Sequence, residues 1–200
     1  MFRTAGLVAA TLCFLAGYAS ASPILSITAP SAYTPGNTFD ITVSLTGAQE
    51  LASYSVSLTL SDSNGTAGTD FRFQSASQPL SRYVFTAGGN DGFAYNIPTG
   101  QEYEITVDDL LNSGTVNTVA GVNDLVANMT VYTSTSLQGS LTISFDGTKL
   151  QLDNASGGDI AGFSELVANL PETAVAPEPA TLALLSMGLG LLMRRRRPAG

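Results

Sequence analysis

The sequence predicts an all-β protein: a single antiparallel β-sandwich flanked by an N-terminal signal helix and a short C-terminal transmembrane helix. Three observations carry this. Apolar and polar residues alternate with period two in five separate segments, the signature of strands with one wet face. Clusters of Gly, Asn, Asp and Pro punctuate the chain at short intervals with no sustained helical stripe, which points to a sandwich and away from βαβ units. The two ends break the pattern with apolar runs that have no polar face.

Met1-Phe2-Arg3 supplies one positive charge, an apolar run extends from Leu7 to Gly17, and Ala19-Ser20-Ala21 follows. This is the charge, apolar core and small-residue cleavage pattern of a secretory signal, with Ala19 and Ala21 at the recognised positions and cleavage after Ala21. The run is short for a membrane span, which disfavours an uncut anchor. Cys13, the sole cysteine, lies inside the signal. Leu12 before it is not the small residue a lipid-attachment site needs. Once residues 1–21 are removed, disulfides, thiol catalysis and thiolate metal ligation are all excluded.

Residues 22–170 form the sandwich domain. Thr38 to Leu45 turns Phe39, Ile41, Val43 and Leu45 inward. Ser53 to Leu60 does the same with Tyr54, Val56, Leu58 and Leu60. Glu102 to Val107 offers Tyr103, Ile105 and Val107; Leu125 to Val131 offers Leu125, Ala127, Met129 and Val131; Leu141 to Phe145 offers Leu141, Ile143 and Phe145. Shorter strands are predicted at Ile24 to Thr28, Phe71 to Phe73, Tyr83 to Phe85, Phe93 to Tyr95 and Lys149 to Leu152. Asp108 to Asn112 is read as a single helical turn. Pro35-Gly36-Asn37, Asp62-Ser63-Asn64-Gly65, the segment from Gly88 to Gly92 and the segment from Asn154 to Gly158 are the turns.

Between Ser22 and Ala176 three bases (Arg72, Arg82, Lys149) stand against fifteen acids, a net charge of −12. Such a surface repels phosphate backbones, so nucleic acid is excluded as a partner. The absence of histidine removes Ser-His-Asp triads, Cys-His dyads and histidine zinc sites together. No phosphate-binding glycine loop is present. Adjacent carboxylates such as Asp108-Asp109 could serve a glycosidase, which needs only two. There is no tryptophan for sugar stacking; Tyr83 and Tyr95 are the candidate substitutes, although tyrosines in strands are more often core.

Calcium is the one ion the composition suits, with no other cofactor expected. Asp62, Asn64 and Asp70 share one Gly-rich loop, and Asp153, Asn154 and Asp159 another, both oxygen-rich. Glycine at the fourth position of Asp62-Ser63-Asn64-Gly65 excludes an EF-hand. Asp and Asn are also ordinary turn formers, the commoner reason for finding them in such loops.

Residues 171–176 are a linker, and 177–200 are set apart. Pro177-Glu178-Pro179 leads into Ala180 to Met193, fourteen residues without charge, and then Arg194-Arg195-Arg196-Arg197. Fourteen helical residues rise about 21 Å, short of the roughly 30 Å hydrocarbon core. The arginines mark the cytoplasmic side.

This tail resembles the PEP-CTERM sorting signal: Pro-Glu-Pro-Ala at 177–180, a short Leu/Gly/Met-rich span and a terminal arginine cluster, in that order. The resemblance implies an exported bacterial protein recognised by an exosortase after passing the secretion machinery. It implies transient anchoring in the inner membrane through the C-terminal helix, and a final place at the cell surface or in an exopolysaccharide matrix. Pro177, Glu178 and Pro179 are then processing-recognition residues, not catalytic ones. The body is similar to cohesin-like sandwiches of the carbohydrate-binding superfold. Pro35-Gly36-Asn37-Thr38 is similar to their Pro-Gly-Asp opening before the second strand, Tyr54 to Leu60 falls at their next strand, and Leu125 to Thr133 is similar to their late hydrophobic strand. Leu60-Ser61-Asp62 departs from them, running into a longer loop where they have a Tyr-Asp step. The expectation is a non-enzymatic binding or structural module whose ligand is a polysaccharide or a protein. The alternative is a secreted glycan-active hydrolase with a carboxylate pair not yet identified.

Overall fold

Alternation becomes structure wherever an apolar face has another sheet to cover it. The computed structural model describes residues 22–85, 92–160, 162 and 164–173. The signal with Ala19 and Ala21, most of the Gly88 to Gly92 turn, and the tail with Pro177, Glu178, Pro179 and Arg194 to Arg197 lie outside the described residues. Every regular element among those described is a strand: β1 (Ile24–Thr28), β2 (Thr38–Thr46), β3 (Leu51–Ser61), β4 (Phe71–Ser77), β5 (Ala94–Asn96), β6 (Glu104–Leu110), β7 (Leu125–Thr133), β8 (Ser140–Phe145), β9 (Gln151–Asn154), β10 (Ser164–Leu166) and β11 (Ala168–Pro171).

They make two sheets, one in the order β10-β1-β2-β7-β4 and the other β11-β8-β3-β6-β5. The predicted inward faces meet between them. Ile41, Val43 and Leu45 oppose Tyr54, Val56, Leu58 and Leu60 in one core with Ile105, Val107, Met129, Val131, Leu141 and Ile143, each at most 2% exposed. Burying each such side chain contributes roughly 1.5–3 kcal/mol. The turn before β2 needs its glycine: Gly36 has φ 81°, and a Cβ there would sit 2.6 Å from Thr135 Cγ2.

Five expectations are corrected. The sandwich is not purely antiparallel, because β10 runs parallel to β1. Asp108 to Leu110 continues β6 instead of coiling, since Asp108 and Asp109 pair with Ser55 and Tyr54 of β3. Tyr83 to Phe85 is no strand: all three consecutive side chains are at most 1% exposed, and the segment plugs the side of the core while backbone bonds tie it to Leu125. Leu125 is only half-buried; register shifts between Val43 and Ser44 and Val126 takes the core position at 0% exposure. Backbone pairing also runs past residue 170, into the expected linker: Tyr33 N donates to Pro171 O (3.1 Å), Glu172 N to Gly139 O (2.9 Å) and Thr173 N to Tyr33 O (2.7 Å).

β8 and β9 lie on the same side of β3, pairing with Leu58 to Ser61 and Leu51 to Ser55 respectively. The segment between them bulges out as a turn closed by Lys149 N on Asp146 O (2.9 Å). The last strand changes sheets at Val167, its first half pairing with β1 and its second with β8. Ser22 and Thr173 therefore stand at opposite ends of the sandwich. Ile24 is level with Thr46 and Ser164 at one end; Tyr33 meets Glu172 at the other.

Candidate functional site

β5 is the edge of its sheet and only three residues long, with Ala94, Tyr95 and Asn96 all exposed. The register sets Ala94 beside Asp108, and Asp108 beside Ser55. One row further toward the Ser22 end, Leu110 stands beside Ser53, and Ser53 beside Asp153. Ala94 and Gly92 carry almost no side chain, so the surface sinks between the sheet edge and the Asp108–Leu110 pair. The result is a hollow of about 370 Å3. Leu110 stays 47% exposed at its margin, an apolar side chain among the polar side chains of that face.

A buried polar network forms the floor. Asp109 turns to the opposite face from Asp108 and is 5% exposed. Its Oδ2 accepts from the Tyr83 hydroxyl, and its Oδ1 from Leu110 N at 2.7 Å. With the Tyr83 proton given to Asp109, the Tyr54 hydroxyl donates to Tyr83 at 2.7 Å, and Val126 O lies 3.3 Å from the same hydroxyl. Phe85 stacks on Tyr54 with centroids 5.5 Å apart. Burial, reinforced by the neighbouring carboxylates, raises both phenols far above their ordinary value. They remain neutral hydrogen-bonding groups, not nucleophiles or bases. Asp108 and Asp109, the adjacent carboxylates, face apart and cannot act on one bond.

Beyond the hollow the outer face of this sheet is a ladder of side-chain hydrogen bonds made by serine and threonine hydroxyls. Ser57 bonds Thr106 (2.6 Å), Thr59 bonds Ser144 (3.0 Å), Thr142 donates to Asn169 (2.8 Å) and Ser53 to Asp153 (3.0 Å). All three bases of the body are engaged elsewhere. Lys149 holds Glu104 (2.7 Å) and Asp146 (3.3 Å), Arg82 holds Asp124 (2.6 Å), and Arg72 lies 4.2 Å over the Tyr132 ring. The surroundings of Asp108 and Asp153 are therefore electronegative.

The calcium candidates fall in two separate places. Asp62, Asn64 and Asp70 lie at the Thr173 end, away from the hollow. Asp62 Oδ1 caps its own turn by accepting from Asn64 N (2.6 Å) and Gly65 N (2.9 Å), and its Oδ2 is buried with no hydrogen-bond partner. Asp70 is occupied by Ser134 (2.7 Å), Ser136 (2.6 Å) and Thr66 N (2.8 Å), and the Ser136 bond above all holds its carboxyl below the ordinary range. Asp153 is held by Ser53 and Gln151, while its backbone bridges Asp159 across a hairpin whose turn Asn154 caps. Among the described residues no three acidic, histidine or cysteine side chains converge as a metal site. Of the sugar-stacking candidates, Tyr83 is fully buried and Tyr95 is 46% exposed.

No protein-family model and no curated protein matches the chain. Solved structures do. The CaCohA2 module of Clostridium acetobutylicum is 15% identical with a TM-score of 0.57, covering 78% of this chain and 94% of its own. The second type II cohesin module of the ScaA scaffoldin of Acetivibrio cellulolyticus is 12% identical with a TM-score of 0.57, over 82% and 98%. The third cohesin ScaC of that organism, solved in complex with the ScaB dockerin, is 10% identical with a TM-score of 0.58, over 76% and 99%. At these identities the likeness is one of fold: the body is a cohesin-like β-sandwich.

Proposed function

We propose that this chain is an exported, non-enzymatic binding module that engages a protein partner through the outer face of the β8-β3-β6-β5 sheet. The observation that carries the reading is the hollow beside β5, where a half-exposed leucine and a surface carboxylate with no ion pair among the described residues adjoin a face of serine and threonine hydroxyls. An apolar anchor rimmed by polar groups is how protein interfaces concentrate their energy. The solved cohesin that was captured with a dockerin lends support by analogy of fold. The tail fits the same reading. Sorting through Pro177, Glu178 and Pro179, with Arg194 to Arg197 held in the cytoplasm, anchors the chain from the end opposite the hollow, and removal of the tail frees the body into the surface or matrix.

A photo-crosslinking residue at Leu110, in the protein secreted by its own bacterium, is expected to give a discrete adduct that the same residue at Ser26, on the other sheet, does not. Equal labelling at both positions, or turnover of a glycan panel abolished by one Asp or Glu substitution, overturns the proposal in favour of unspecific contact or hydrolysis. Intact mass of the mature chain is expected to begin at Ser22, and Glu178→Ala to trap a full-length membrane-bound form.

A further inference from the structure

The hollow has a second feature that a purely face-on partner leaves unused, the open edge of β5. Among the described residues Ala94, Tyr95 and Asn96 pair with β6 on one side only. Edges are ordinarily blunted by shortness, lysine, proline or a bulge; β5 is short, but its three residues carry no lysine, no proline and no bulge, so its backbone groups stay approachable. The chain around it is short of positive charge, with each body base engaged away from this corner.

We infer that β5 accepts an extended, positively charged segment of a partner as an added strand, with the hollow receiving its side chains. The inference rests on the proposed binding face and names the chemistry of its occupant. An added strand lies about 4.8 Å outside β5 and so roughly 10 Å from β6. Ala94 is the residue directly between that strand and Asp108, and its methyl group leaves the way clear. A lysine opposite Ala94 lays its four-carbon stem across the hollow against Leu110 and sets its ammonium on Asp108. An acidic segment meets Asp108 and Asp153 with like charge and a body of net charge −12. Backbone bonds to the edge supply affinity and the hollow supplies selection, the usual division of labour in strand addition.

The test uses the full chain in detergent and a synthetic peptide of alternating lysine and valine. Binding is followed by fluorescence anisotropy at physiological salt and by amide exchange. Expected are saturable binding, new protection at residues 94–96, and loss of roughly tenfold or more in affinity on Ala94→Phe, on Asp108→Lys, or when alternate peptide nitrogens of the probe are methylated. Thermal melts of both variants are expected to match the parent, since both positions are exposed. No binding, equal binding of a glutamate–valine peptide, or indifference to Ala94→Phe and to methylation overturns strand addition. A Leu110 crosslink to a folded partner together with any of these results sinks the strand-addition inference alone and leaves the binding face standing.

Discussion

A hydroxyl shared between a phenol and a carboxylate is worth more than its single bond when both lie away from water. Tyr83 is such a group, held between Tyr54 and Asp109. Tyr83→Phe removes one donor from the 5%-exposed Asp109 and is expected to cost about 1–3 kcal/mol, read as a lower urea midpoint. Leu110→Ala, at an exposed position, is expected to change stability by less than about 0.5 kcal/mol. Arg82 shows a second local arrangement. It holds φ 58°, a left-handed conformation unfavourable for a side chain, and is fixed there by two bonds to Asp124 at 2.9 and 2.6 Å. Burial pushes the Asp124 carboxyl up, but the Arg82 bonds and Gly121 N outweigh it and leave the group below its ordinary value of 3.8. A depressed carboxyl contributes stability that is present above its unfolded pKa and withdrawn as pH falls through the folded one. Asp124→Asn is accordingly expected to melt below the parent at pH 7, with the gap narrowing as pH is lowered beneath 3.8. A gap constant with pH would show that the pair contributes through packing and not through charge.

Elements that keep one face inward were legible in the sequence, and elements that change faces were not. β2, β3, β7 and β8 alternate because each lies across the whole sandwich between one core and one surface. The last strand has no such pattern: in Ser164-Glu165-Leu166-Val167-Ala168-Asn169-Leu170-Pro171 only Leu170 is fully buried, because the chain leaves one sheet at Val167 and enters the other. Tyr83-Val84-Phe85 looked like a strand from composition, yet a plug can bury consecutive residues that a strand must divide between two faces. The candidate site was hidden for a related reason. Its form depends on what Ala94 lacks, and on a register that sets Ala94 beside Asp108; neither is visible in a linear pattern. Leu110, read as part of a helical turn, becomes surface only once β6 is seen to continue. The strand crossing gives a direct expectation. Leu170→Ala is expected to destabilise by about 2–4 kcal/mol and Leu166→Ala, 56% exposed, by under about 0.5 kcal/mol, compared by urea unfolding. Equal effects would mean that β11 does not close the sandwich.

At the scale of the molecule, thirty mostly apolar side chains among the described residues share one core, and they stand in for the disulfides that a chain with a single cysteine cannot form within itself. A cooperative thermal transition is therefore expected to survive a chelator. Calcium, if it reaches Asp62 Oδ2, is expected to add no more than about 2.7 kcal/mol at a hundredfold excess over Kd; loss of all cooperativity in chelator would make an ion site structural. The placement of the chain ends has a mechanical consequence. The body is entered at Ser22 and left at Thr173 on opposite ends, with β1 and β10 running side by side in the same direction. Tension applied between Ser22 and Thr173 pulls β1 and β10 along their length instead of peeling them apart. The cross-strand bonds then stretch together and not one after another, so the sandwich resists tension from end to end as a tie.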